Sequence, residues 1–238
     1  MRVLMARLMV VFLVLGVALS AGAQTVPADL KDVAVPAGAY WATQEVVIGR
    51  GQSVAHRHGL EFVFALKGDA AVRIGSAAVT IPEGKAYGIP AGAAHTHLTI
   101  GQGESRIVAS QLAGEAATWG TLEIVRTKRT TALAGFRQGP QMARLSEVVL
   151  APFAQTPVHT HPGPEAVYIL DGPIVLQTEG KLVMLLRGDL AVLPGDTALQ
   201  ARYIGGVGQG RFLALFVVAE GAPFSSPIPA GFKVAPQP

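Results

Sequence analysis

Every histidine in this 238-residue chain belongs to a His-X-His pair: His56/His58, His95/His97 and His159/His161. Residues i and i+2 of a β-strand point to the same face, so each pair can aim two imidazole nitrogens at one point. That is the arrangement a transition-metal ion requires. A carboxylate closely follows two of the pairs, Glu61 after His58 and Glu165 after His161. The chain has no cysteine, so thiolate ligation and disulfides are both excluded. What remains is a mixed nitrogen and oxygen ligand set, expected on a β scaffold.

The scaffold reads as short strands separated by turns. The chain is half hydrophobic and carries 28 glycines and 16 prolines, with short apolar runs between them. Strands are expected over 40–48, 61–66, 70–74 and 77–81, the last two flanking a Gly75-Ser76 turn. Further strands are expected over 166–170, 174–178 and 181–186, with Glu179-Gly180 as a hairpin turn. No helical periodicity extends beyond about three turns, and the fold class is all-β.

These strands fall into an internal repeat. His56-Arg57-His58-Gly59-Leu60-Glu61 resembles His159-Thr160-His161-Pro162-Gly163-Pro164-Glu165, with one extra residue in the second copy. Beyond the glutamates the register holds: Gly68 matches Gly172, Gly84 matches Gly188, and Pro90 matches Pro194. A sustained offset implies duplication of one structural unit. Residues 24–127 form the first expected unit and residues 128–238 the second, joined at the basic stretch 126–130.

Residues 1–23 read as an export signal. Arg2 and Arg7 precede an apolar run over 8–19, and Ala21-Gly22-Ala23 fits the small-residue cleavage rule. The run is shorter than the ~20 residues of a membrane span. The mature chain is expected to begin at Gln24, to reach the periplasm or the medium, and to keep no stable membrane anchor. Cleavage removes two of the 19 basic residues, leaving 17 against 16 acidic ones. That near-neutral balance argues against a nucleic-acid partner.

With these residues in place, the chain resembles the cupin superfamily. The first cupin motif, G-x5-H-x-H-x(3,4)-E-x6-G, is met by His56, His58, Glu61 and Gly68, with two residues between His58 and Glu61. Gly51 lies four residues before His56 rather than five. In the second unit His159, His161, Glu165 and Gly172 keep the standard spacing without the leading glycine. The second motif, G-x5-P-x-G-x2-H-x3-N, is met at Gly84, Pro90, Gly92 and His95, with Thr99 for the asparagine. The second unit keeps Gly188 and Pro194, but Asp196 replaces the glycine and Leu199 the histidine. The resemblance implies a bicupin, two tandem double-stranded β-helix (jelly-roll) barrels.

The resemblance also implies a ligand set of His56, His58, Glu61 and His95 for a divalent transition metal, whether Mn, Fe, Ni, Co, Cu or Zn. His97 shares the His95 face and is expected to be a packed or surface residue; a supporting partner, alternative ligand or proton shuttle are its other readings. In the second unit His159, His161 and Glu165 offer a weaker two-His, one-carboxylate site or an empty one. Arg73 and Gln177 are equivalent positions, with Arg73 expected to be solvated, and Gln200 and Tyr203 are expected to be ordinary strand residues. No residue is assigned to acid–base catalysis. Two classes of function follow. One is a metal-dependent, dioxygenase-like enzyme acting on a small oxygenated organic molecule. The other is a non-catalytic cupin that binds a small ligand or metal. The full ligand set favours the first, and the degenerate second unit disfavours oxalate-type chemistry. Homo-oligomer formation stays open.

Overall fold

The computed structural model describes residues 23–113 and 118–228. Apart from Ala23, the expected export signal lies outside the described residues. Among these residues there are nineteen strands and no helix. In chain order they are β1 (Ala23–Val33), β2 (Tyr40–Ile48), β3 (Ser53–His56), β4 (Leu60–Lys67), β5 (Ala70–Ile74), β6 (Ala77–Ile81), β7 (Ala86–Ile89), β8 (His95–Thr99), β9 (Ser105–Ala113), β10 (Glu123–Arg129), β11 (Gln141–Leu150), β12 (His159–Thr160), β13 (Glu165–Asp171), β14 (Ile174–Thr178), β15 (Lys181–Leu185), β16 (Leu190–Leu193), β17 (Leu199–Tyr203), β18 (Gly210–Ala219) and β19 (Ser226–Pro227).

Two sheets enclose each barrel. In the first unit the order β10-β2-β9-β4-β7 faces the order β3-β8-β5-β6. In the second, β1-β11-β18-β13-β16 faces β15-β14-β17-β12-β19. All the pairings are antiparallel. The expected strands fall within a residue or so of their observed limits. β15 stops at Leu185 because the Leu186 N–H turns to donate to Asp189 Oδ2 at 2.9 Å.

Three apolar layers hold the molecule. Val46, Ile48, Val63, Val72 and Ile107 fill the first barrel, and Val167, Ile169, Leu176 and Phe212 fill part of the second. Between them lies a layer drawn from both units, with Trp41, Phe62, Phe64 and Leu112 against Leu145, Tyr168, Leu213 and Leu215. β2, β4, β13 and β18 are therefore buried on both faces, and their sequences read as near-continuous apolar runs instead of alternating ones. A polar knot crosses the same layer. Buried Glu45 meets Arg106 at 3.4 Å and, from the second unit, Arg187 at 3.3 Å and the Tyr168 hydroxyl at 3.4 Å.

Two features cross the boundary expected between residues 127 and 128. β10 runs through it and pairs with β2. β1, from the N-terminal side, adds to the second unit's sheet beside β11, with Ala23 opposite Val149 and Asp29 opposite Arg144. Arg144 holds Asp29 in a two-pronged contact, 2.6 Å at each nitrogen. The repeat extends to backbone shape as well. Gly92 adopts φ 76°, and its counterpart Asp196 adopts φ 61°. Aspartate is among the few residues that tolerate this left-handed region, and Arg137 anchors its carboxylate at 2.8 Å.

Candidate metal centre

The sheet β3-β8-β5-β6 builds the site. β8 lies between β3 and β5, with His95 opposite His56 and Ile74, and His97 opposite Val54 and Val72. Period-two alternation turns both histidines of β8 inward together. Glu61 comes from the facing sheet, where β4 sets it opposite Gln111 of β9 and Ile89 of β7.

His56, His58, Glu61 and His95 each place one ligand atom within 4.8 Å of the others, the group among the described residues that could hold a metal ion. The core of this group is tighter. Glu61 Oε2 lies 3.1 Å from His58 Nε2, 3.1 Å from His95 Nε2 and 3.3 Å from His97 Nε2. His95 Nε2 and His97 Nε2 are 3.1 Å apart. Of the two expectations for His97, a surface-facing ring is corrected and a packed one holds. It is buried, 1% exposed, with its ring nitrogen at the centre of the cluster. The shortened loop before Glu61 does not displace that residue, which is fully buried with its oxygen among the imidazoles.

The backbone fixes which ring nitrogens face inward. His58 Nδ1 sits 2.9 Å from the Gly59 carbonyl, His95 Nδ1 2.8 Å from the Ala93 carbonyl, and His56 Nδ1 3.2 Å from the Thr118 carbonyl. A carbonyl only accepts, so these Nδ1 atoms carry the proton and each Nε2 turns a lone pair inward. Neutral His58 and His95 then have no proton left for Glu61 at 3.1 Å. Either the rings become cations or a cation stands among the lone pairs. Charging them all is costly in so small a space: burial, followed by the neighbouring His97 charge, drives the His56 pKa down to about 4. Burial also pulls His58 down, but contact with Glu61 outweighs it and leaves that group raised. Burial pushes Glu61 up, yet the His97 charge and close contact with the three imidazoles hold it well below the usual carboxylate range.

Two residues not singled out in the sequence complete the wall. Trp119 is 1% exposed and packs on His56 and His97 at ring-centroid distances of 4.9 and 5.0 Å. Its indole N–H donates to Gln44 Oε1 at 2.7 Å. Trp119 is one of only two tryptophans, which was the available signal. Replacing Trp119 by phenylalanine is expected to cost about 1 kcal/mol through the lost hydrogen bond and to loosen the His56 and His97 rings. Denaturant unfolding and a metal titration of the folded variant check both effects.

The second unit departs from this geometry. His159 and His161 stack edge-on at 4.7 Å, but a single nitrogen, His161 Nε2, approaches Glu165 Oε2, at 3.6 Å. Leu199 and Ala201 occupy the positions of His95 and His97. With fewer imidazoles nearby, burial wins and the Glu165 pKa rises to about 7, against a smaller lowering from His159. Burial lowers His159 and His161 as well. Arg73 is exposed, opposite Thr96 on the outer face. Gln200 donates to the Thr156 carbonyl at 2.8 Å and Tyr203 to the Val207 carbonyl at 2.5 Å, both structural roles.

A tandem pair of antiparallel barrels with inward His-X-His strands defines a double-barrelled β protein with one histidine-rich centre. The cupin domain family matches residues 43–110 and 146–216, and the chain belongs to it, as a bicupin. No curated protein matches the chain. Among solved structures it is similar to a Lactobacillus farciminis oxalate decarboxylase in a formate complex, at 13% identity and TM-score 0.61, covering 87% of this chain and 84% of that one. It is also similar to a vicilin from Corylus avellana (hazelnut), at 10% identity and TM-score 0.57, covering 85% and 86%. Such distant likenesses establish the fold and leave the activity to the site.

Proposed function

We propose that the first barrel is a mononuclear metal centre and that the chain is an exported, metal-dependent enzyme, dioxygenase-like, acting on a small oxygenated organic molecule. The observation that carries the metal reading is the convergence of His58 and His95 Nε2 on Glu61 Oε2 while backbone carbonyls hold the Nδ1 protons of both rings. Ligands ~2.1 Å from a metal stand about 3.0 Å apart on neighbouring octahedral positions, close to the spacings seen here. His56, His58, Glu61 and His95 would hold the ion, with His97 as a further donor. Imidazole with carboxylate suits Mn, Fe, Ni, Co, Cu or Zn. When bound, such an ion supplies Lewis acidity and, for the redox-active members, electron transfer.

The chain's own residues would do the rest. Backbone carbonyls orient the rings, and the Trp119 indole shields His56 and His97 from water. An open depression of about 330 Å³ lies on the outer face of the same sheet, lined by Arg57, Arg73 and Thr96, and does not lead to the inward-facing rings. Metal analysis of the purified chain, followed by oxygen-uptake assays on small acids and phenols, tests the proposal. A chelator should abolish turnover, and one or a few of the metals should restore it. Full activity after chelation would overturn the metalloenzyme reading.

A second reading is a non-catalytic cupin that binds the metal without turnover. It is favoured by His97, since five protein donors leave one position free on a six-coordinate ion. Metal binding without oxygen uptake, decarboxylation or isomerisation across small acids, sugars and phenols would select it. For export, intact mass from the native host is expected to show a chain beginning at Gln24. A mass retaining residues 1–23 would refute cleavage.

A further inference from the structure

The second barrel has lost two imidazoles and gained a cavity. Leu199 and Ala201 replace the rings of His95 and His97, and about 320 Å³ of space opens beside them. Val148, Val167, Leu176, Leu199, Phe212 and Phe216 form its apolar walls. His159, His161 and Glu165 form its polar end. His161 and Glu165 are 5% and 3% exposed, and both His161 Nε2 and Glu165 Oε2 lack a hydrogen-bond partner. Unpaired buried polar atoms cost about 1–3 kcal/mol each, so their presence on a cavity wall points to a missing partner.

The backbone decides what that partner must offer. His159 Nδ1 lies 2.7 Å from the Pro157 carbonyl and His161 Nδ1 2.6 Å from the Phe224 carbonyl. Both Nδ1 atoms therefore donate, and both Nε2 atoms present lone pairs. The occupant needs a hydrogen-bond donor at that end. It should not be an anion, because no lysine or arginine lines the cavity and a buried carboxylate ligand would lack a counter-charge. For size, a dry cavity of ~150 Å³ holds benzene, so this one has room for a substituted ring.

We propose that the second barrel binds an uncharged monocyclic phenol, its hydroxyl donating to His161 Nε2 beside Glu165 and its ring lying against Leu176, Leu199 and Phe216. This site stands apart from the first barrel's metal and does not rest on it. Calorimetric titration of the chelator-stripped full chain with 4-ethylphenol, ethylbenzene and 4-ethylbenzoate tests it. 4-Ethylphenol is expected to bind at least 10-fold more tightly than either relative. His161→Phe, which removes the acceptor, should lose that preference, and Ala201→Leu, which fills the cavity, should weaken all binding at least 10-fold. Circular dichroism and an unchanged first-barrel metal content establish that each variant is folded. Should a variant fail to fold, displacement of bound 4-ethylphenol from the parent by Zn²⁺ added beyond one equivalent provides a second readout, expected because both would use His161 Nε2. Equal affinity for 4-ethylphenol and ethylbenzene, tighter binding of 4-ethylbenzoate, unaltered binding in Ala201→Leu, or a requirement for added metal would overturn the proposal.

Discussion

His95→Ala should strip the first barrel of its metal, while His159→Ala should leave the metal content of the chain close to that of the parent. Altering groups that merely orient a ligand already costs 10–100-fold in affinity, so removing a direct donor should cost more than 100-fold. His97→Ala, which removes the donor additional to the set of four, should fall in the 10–100-fold range. Elemental analysis after dialysis separates the three. The same experiment has a thermodynamic face, because the donors converge only in the folded chain. Free metal at 100 times its dissociation constant stabilises the folded state by about 2.7 kcal/mol. A chelator should therefore lower the melting temperature of the parent and of His159→Ala but not of His95→Ala. Equal metal loss in His95→Ala and His159→Ala would contradict the asymmetry between the barrels.

Glu165→Gln should make the metal-free protein more stable above pH 7 and nearly unchanged at pH 4. The folded pKa of Glu165, about 7, stands above its ordinary 4.5, so folding favours the neutral carboxyl. Its contribution is fully present below 4.5 and is lost as pH rises to about 7. The gap, at 1.36 kcal/mol for each pH unit, corresponds to about 3 kcal/mol. His159 and His161 act in the opposite sense: burial favours their neutral forms, so they reduce stability as pH falls below 6.5. Comparing Glu165→Gln with the parent cancels their part. Urea unfolding of chelator-treated protein at pH 5 and pH 8 measures the difference. A gap between the two proteins that does not widen toward pH 8 would rule out a buried, neutral Glu165.

Much of this arrangement is legible in the sequence because it is local. Period-two spacing aims each histidine pair, and Gly75-Ser76 and Glu179-Gly180 mark hairpins whose strands lie within a residue of expectation. The offset carried by Gly68/Gly172 and Gly84/Gly188 reveals the duplication. What escapes is non-local. His97 shares a face with His95, but whether that face is interior depends on Trp119 and Gln44, which come from distant segments. The outward parity of Arg73 depends on its pairing with Thr96 across the sheet. Strands such as β18 are covered on both sides, which erases the alternation that would have fixed their register. Nothing in the sequence of β1 announces that it joins the other unit's sheet.

That exchange of β1 has a consequence for how the molecule comes into being. Ala23 waits for Val149, and Asp29 for Arg144, so β1 cannot make this pairing until the second barrel's β11 exists. Until then it carries an unpaired edge and the apolar side chains of Ala28 and Leu30, which belong against the layer between the barrels. Contacts so distant along the chain are slow to form. The first barrel's own strands lie close together along the chain, but the described fold is complete only when β1 is captured by the half of the chain made after it. The duplication yields one cooperative object, which cutting between the copies would not divide into two working ones.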